Sequence, residues 1–222
     1  THALLSGSPA IDQGDDAKCP GVDQRGAARP AGASCDIGAF EADGAVAIYA
    51  VDLSPDGARS GAPGQTAVYT LSVTNGGNGT DTFDLSVSGN SWTTNLSEAS
   101  VTLDAGQSTS ISASVIIPAG AAATASDTAT LTARSQGAPA ISDGATLTTT
   151  ATAVYGVSLS PDQAKHGLPG ASVMYSVTVI NAGNTADTFN LSLSGNSWTT
   201  HLSEASVSLA AGQSTNISAS VT

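Results

Sequence analysis

The sequence predicts an all-β protein of tandem two-sheet sandwiches, and three observations carry that expectation. Residues 49–116 recur as 155–222 at a fixed offset of 106 residues, Tyr49 returning as Tyr155, without a gap and with about two-thirds of aligned positions identical. From Ala45 onward apolar and polar residues alternate with period two, the pattern of half-buried strands. Turn residues punctuate the chain about every 8–12 positions and no stretch has helical periodicity, which indicates a sandwich. A period of this size is too long for a solenoid repeat and suits one small β-domain. The chain thus divides into residues 1–44, a first sandwich over 45–152, and a second over 153–222. The second is incomplete. Thr222 is equivalent to Ile116, whereas the first copy continues to about Thr152 and so holds two strands that the second lacks.

The elements follow in order. Ala47, Tyr49, Val51 and Leu53 share one face of a strand ending at Ser54–Pro55. Tyr69, Leu71 and Val73 define a second strand, with Thr70, Ser72 and Thr74 facing outward. Asn75–Gly79 is a turn cluster with several residues able to adopt positive φ. Phe83, Leu85 and Val87 make the third strand, which stops at Ser88–Gly89–Asn90. A short strand around Trp92 follows, then Val101 and Leu103, then Ile111, Ala113 and Val115 up to Pro118. Ala119–Ala125 reads as a connecting loop. Ala129, Leu131 and Ala133 form one further strand, and Leu147, Thr149 and Ala151 another, which runs directly into Tyr155, Val157 and Leu159 of the second copy.

Composition excludes several roles. The net charge is −12, and a bare acidic surface repels nucleic-acid backbones and anionic membranes. The apolar runs are far too short for a membrane span. Only 11% of residues are charged, and Ser, Thr, Asn and Gly supply the polar surface. The abrupt start and finish read as an internal segment of a longer protein. Cys19 and Cys35 are the two cysteines. With no zinc-ligand spacing near them, a disulfide is the economical reading; it implies an oxidising compartment and constrains the unfolded chain by roughly 3 kcal/mol.

Residues 1–44 contain the blocks SPAID, DQRG, RP and DIGAFE in that order. This series resembles the closing segment of secreted bacterial right-handed β-helix surface proteins that carry choice-of-anchor sorting regions. The resemblance implies that 1–44 is the cap of a parallel β-helix. The repeat, through PGQTAVYTLSVTNGGNGTDTF, SGNSW and LDAGQSTSISASVIIP, resembles the immunoglobulin-like extracellular domains associated with α-galactosidases. It implies a spacer or accessory domain without catalytic machinery.

No catalytic set emerges from the residues. His166 stands where the first copy has Ser60, and His201 where it has Asn95, an interchange that a catalytic residue would not tolerate. The acids common to both copies are Asp56/Asp162, Asp81/Asp187 and Glu98/Glu204; turn capping is the expected role of Asp81, with calcium as the sharper alternative. Asp12, Asp15 and Asp16 are the denser calcium candidates, against which stands pairing of Asp23 or Asp36 with Arg25 or Arg29. Trp92 and Trp198 occupy identical SGNSWTT contexts and are expected in the sandwich cores with Tyr69, Phe83, Tyr175 and Phe189; an exposed ring would instead suit glycan stacking. Glycosylation sequons occur at Asn78, Asn95, Asn190 and Asn216.

These readings converge on a non-enzymatic, secreted or cell-surface structural protein: a stalk, surface-layer or filament subunit. Three explanations compete for the missing end of the second sandwich: its residues follow in the full protein, the segment is cut there, or a strand from another copy completes the sheet, so that subunits self-associate through open β-edges; no cofactor is expected. A glycan-binding or adhesive module, or the accessory region of a β-helix polysaccharide-active enzyme, is the competing reading.

Overall fold

The structure, a computed structural model, describes residues 2–5, 8–42 and 47–222. The boundary expected at residues 44–45 lies outside the described residues. The first copy builds β1 (Val51–Ser54), β2 (Gly57–Gly61), β3 (Thr66–Asn75), β4 (Asp81–Ser88), β5 (Thr93–Leu96), β6 (Ser100–Leu103), β7 (Ser108–Ile116), β8 (Ser126–Ser135) and β9 (Ser142–Ala151). One sheet has the order β1-β3-β7-β5 and the other β2-β9-β8-β4-β6. This is an immunoglobulin-like sandwich, antiparallel except for β2, which runs parallel to β9.

Register explains the core. Tyr69 lies opposite Ala113 and Leu71 opposite Ile111, so alternate residues of β3 and β7 point inward together. They meet Phe83 and Leu85 of β4, and Ala129, Leu131, Ala133, Ala145 and Leu147 of β8 and β9, all buried. The alanines on β8 and β9 leave room for the large residues opposite, the volume matching that dense packing needs. Asn75 ties the two sheets at one end. Its buried Nδ2 donates to Gly79 O at 2.8 Å and Leu103 O at 2.9 Å, and its Oδ1 accepts from Gly77 N at 2.8 Å.

The second copy builds β10 (Val157–Ser160), β11 (Val173–Asn181), β12 (Asp187–Asn190), β13 (Thr200–Leu202), β14 (Ser206–Leu209) and β15 (Ser214–Val221). β10-β11-β15-β13 reproduces the first sheet, while β12-β14 is all that corresponds to the second. Asn181 repeats the tie of Asn75, with bonds to Thr185 O, Leu209 O and Gly183 N. Near-identical sequence nonetheless gives different structure. DTFDLSVS is strand throughout, but in DTFNLSLS the strand stops at Asn190. In the first copy β6 pairs only with Asp81–Asp84, and β8 pairs with Phe83–Ser88. Residues 85–88 are therefore strand because of β8, and 191–194 have no such neighbour. In the same way β2 depends on β9, and its counterpart 163–167 is not strand.

Several expectations require adjustment. β2 was not foreseen, because GARSG has no apolar alternation and, among the described residues, its strand partner is the distant β9. The strand expected from Ala47 begins at Val51. Residues 152–156 interrupt the continuous strand expected between copies. That joint is clamped instead by Asn184, whose Nδ2 donates to Ala121 O and Thr152 O while its Oδ1 accepts from Val154 N.

The β-helix expectation for 1–44 is corrected. Among the described residues this segment has one 3-10 turn at Asp16–Lys18 and one isolated antiparallel bridge, Val22 to Ala28. A β-helix coil stacks parallel strands, and no such ladder is present among them. Carboxylates hold the segment. Buried Asp23 accepts from the amides of Arg25, Ala27 and Glu41, and pairs with Arg25 Nε at 2.9 Å. Glu41 accepts from Ala31 N and Asp36 N, and its Oε2 lies 3.1 Å from Arg29 Nε, off the hydrogen-bond axis. Asp36 accepts from Asp12 N and Ala42 N. Arg25 also lies 3.6 Å over the Phe40 ring. Cys19 and Cys35 form a disulfide across this knot.

Two predictions follow from these polar ties. Replacing Asn75 with Ala strands two carbonyls and an amide, and should cost about 3 kcal/mol of first-copy stability in urea unfolding; a loss below about 0.5 kcal/mol would refute the role. For Asp23, burial pushes the pKa up, but donation from the Glu41 amide, the Arg25 side chain and the Ala27 and Arg25 amides outweighs it and holds the carboxyl well below its ordinary range. Its folded value is depressed, so its stabilisation is full above about pH 4 and is lost as pH falls toward the folded value. Carbon-detected NMR titration should show Asp23 still ionised at about pH 3, where exposed aspartates have largely protonated.

Candidate functional site

The open face of the second copy is the candidate site. Beside Asn181 part of the core is kept: Val179 is fully buried, and Leu209 and Ile217 are nearly so. From Val157, across from Asn181, and Leu159, across from Val179, onward the equivalents diverge. Leu53 is 3% exposed and Leu159 60%. Tyr69 and Phe83 are buried, whereas Tyr175 and Phe189 are half-buried. Trp92 is half-buried and packs on both the main core and the cluster of Ile117, Ala121 and Ala151. Trp198 is 72% exposed. Part of the surface that covers Trp92 comes from residues 117–151, and residues 153–222 include no counterpart of them. Of the six aromatics expected in the cores, Trp198 is the one that the structure places outside.

Trp198 and Tyr175 line a cavity of about 460 Å³ together with Lys165, Leu168, Val173 and Val221. Lys165 Nζ sits 5.4 Å from the Tyr175 ring centroid, as Arg59 sits 5.5 Å from that of Tyr69. The segment before β11 takes its own course. A Cβ at Gly57 would approach within 2.6 Å of the Tyr69 ring, and the second copy has Gln163 there. Gln163 Nε2 donates to Ser176 O and Lys165 Nζ to Met174 O.

The other sequence candidates are scattered. Asp12 Oδ1 accepts from Ser34 N, Asp15 Oδ1 caps the 3-10 turn through Ala17 N, and Asp16 Oδ1 accepts from Cys35 N. Among the described residues no group of three or more His, Cys, Asp or Glu side chains is placed to hold a metal. Of the pairings weighed against calcium, Asp23–Arg25 forms, while Arg29 pairs with Glu41 rather than Asp36. Asn78, Asn95, Asn190 and Asn216 are all surface-exposed. Asn78 Oδ1 accepts from Ile48 N, and Asn216 Oδ1 accepts from Thr178 Oγ1. Among the described residues no helix is long and apolar enough to cross a membrane.

No family model matches the chain, and no curated protein does. Among solved structures it is similar to PapD-like domain 7 of human CEP192, with 13% identity and a TM-score of 0.36 over 46% of this chain and 84% of that one. It is also similar to the E. coli chaperone DraB, at 13% identity and a TM-score of 0.37 over 76% and 86%. The chaperone–tip adhesin complex of CFA/I fimbriae gives 11% identity and 0.36 over 75% and 87%. With no parallel ladder among the described residues of 1–44 and no family match, the choice-of-anchor β-helix and α-galactosidase-associated assignments are both withdrawn.

The asymmetry between the two tryptophans is testable. Trp92→Ala should lower the stability of the first copy by about 3 kcal/mol, as expected for a packed aromatic. Trp198→Ala should change the second by no more than about 0.5 kcal/mol. Thermal unfolding followed by circular dichroism checks both; equal losses would show that Trp198 is packed in solution.

Proposed function

We propose that this chain is part of an extracellular structural protein, a stalk, surface-layer or filament subunit, in which the second copy joins a β-segment of another protomer through its open edges. The observation that supports this reading is the face just described: a sandwich half with its sheet-tying asparagine in place, one sheet reduced to β12 and β14, and Trp198, Leu159 and Tyr155 exposed at 72%, 60% and 67%. Unpaired strand edges carrying apolar residues favour pairing with another chain. The Cys19–Cys35 disulfide accords with a non-cytoplasmic setting. Joined by the short 152–156 segment and the Asn184 clamp, the copies suit a projecting or assembling role.

A glycan-binding or adhesive module is the second reading, favoured by one observation: an exposed tryptophan beside a tyrosine at a cavity mouth. The same exposure is accounted for by the uncovered face, so the structural reading stands first.

Sedimentation of the purified chain, with electron microscopy of the associated species, tests the proposal. Concentration-dependent association is expected, and Trp198→Arg should abolish it. A monomer at every concentration, or glycan binding lost in Trp198→Ala without any change in association, would overturn it.

A further inference from the structure

Residues 152–156 join the two copies, and Asn184 of the second copy meets this segment from the side. Its backbone N–H donates to Val154 O at 3.0 Å, and its Oδ1 accepts from Val154 N at 2.7 Å. The same two bonds recur in the first copy: Asn78 N donates to Ile48 O at 3.1 Å, and Asn78 Oδ1 accepts from Ile48 N at 2.8 Å. They belong to each sandwich and fix where the chain enters it. A close backbone approach accompanies them in both. A Cβ at Gly183 would lie 2.4 Å from Val154 O, and one at Gly77 would lie 2.4 Å from Ile48 O.

The remaining groups of Asn184 reach back toward the first copy. Its Nδ2 donates to Thr152 O at 2.9 Å and to Ala121 O at 3.0 Å, and its carbonyl accepts from Ala123 N at 3.1 Å. Ala121 and Ala123 sit on the loop between β7 and β8, which the first copy holds from within. Ala121 is buried and belongs to one cluster with Ile117 and Ala151. Ala125 N donates to Ala122 O at 3.1 Å across a turn in which Thr124 has a φ of 68°, the geometry of a type II turn. A β-branched residue rarely takes that left-handed conformation. Thr124 is held in it by donating to Ala151 O at 2.9 Å, beside the bond from Ala123 to Asn184.

We propose that the loop 118–125 is a docking surface for the turn 182–185 of the sandwich copy that follows it, and that Asn184 locks the two copies at one angle. Relative motion is the default between tandem domains; here the short joint and Asn184 oppose it. The chemistry of the joint selects this residue. Ala121 O and Thr152 O converge on one position, and an amide NH2 offers a hydrogen to each. A carboxylate of the same size would keep the acceptor for Val154 N but set an oxygen against those two carbonyls. Rotation about the joint is opposed because Thr152 O and Val154 N are tied to one side chain, which is itself bonded to the loop. The inference rests on the structural reading above and adds the element that stiffens it: copies docked in this way follow one another with one fixed rotation.

Residual dipolar couplings of the whole 15N-labelled chain, measured below any concentration at which sedimentation shows association, test this. The couplings of both copies are expected to fit one alignment tensor. In Asn184→Asp the common tensor should be lost, each copy keeping its dispersed amide signals and requiring a tensor of its own. Asn78→Asp makes the same chemical change at the equivalent position of the first copy and should leave the common tensor in place. Ala123→Pro removes the N–H that the loop donates to Asn184 O, and proline suits that position of a type II turn. It should loosen the same docking from the first copy's side, and it decides the matter if Asn184→Asp unfolds the second copy. Separate tensors in the unaltered chain, or one tensor retained in both joint variants, would overturn the inference. A loose joint in a chain that still associates overturns this inference alone. One tensor without any association supports the joint and removes the open-edge reading.

Discussion

The ladder between β4 and β8 is the constraint on which the sandwich depends. A strand exists where a neighbour takes up its backbone donors and acceptors, and β8 is what makes residues 85–88 a strand. β8 in turn carries β9, and β9 carries β2. The second copy is a natural comparison for that chain of dependence. Where the β8 partner is absent, β12 is half the length of β4, the β2 counterpart is not strand, and the covering surface over the tryptophan is gone. These losses have one origin.

The opposite end of each sandwich obeys a different rule. Asn75 and Asn181 meet three backbone groups each, within a turn and across to the other sheet, and both are 1% exposed. None of their partners belongs to β8 or β9, so this tie forms in both copies alike. A buried amide with its hydrogen bonds satisfied is costly to disturb, because every partner would be left unpaired in an apolar setting. In the second copy this tie holds while Val157, across from Asn181, and Leu159, across from Val179, are exposed.

Residues 8–42 solve the same accounting without a sheet. Asp23, Asp36 and Glu41 are buried and take the amides that a ladder would otherwise take. Their cost of burial is offset by several charge-assisted hydrogen bonds apiece and by the Arg25 and Arg29 ion pairs. The blocks DQRG and DIGAFE contain these residues, so their sequence signal reports a hydrogen-bonded knot and not a stack of parallel strands.

The sequence by itself determined the class and most of the elements. Alternation at Tyr69, Leu71 and Val73, at Phe83 and Leu85, and at Ala129, Leu131 and Ala133 reports which face is buried, since side-chain direction in a strand has a period of two. The repeat offset shows that residues 153–222 contain no counterpart of residues 117–152. Only the tertiary structure decided the rest. β2 was illegible because GARSG carries no apolar alternation, and its pairing with the parallel strand β9, Gly57 opposite Leu147, is a distant contact. Identical SGNSWTT segments place one tryptophan against a core and the other in solvent, because burial is set by what lies across from a residue and not by its neighbours in sequence. Asp81 was read as a local cap, and it does accept from Thr82 N, but its bonds to Ser135 and Gly137 span 54 and 56 residues and that of Asp56 to Thr146 spans 90, and no local pattern records a partner at that distance.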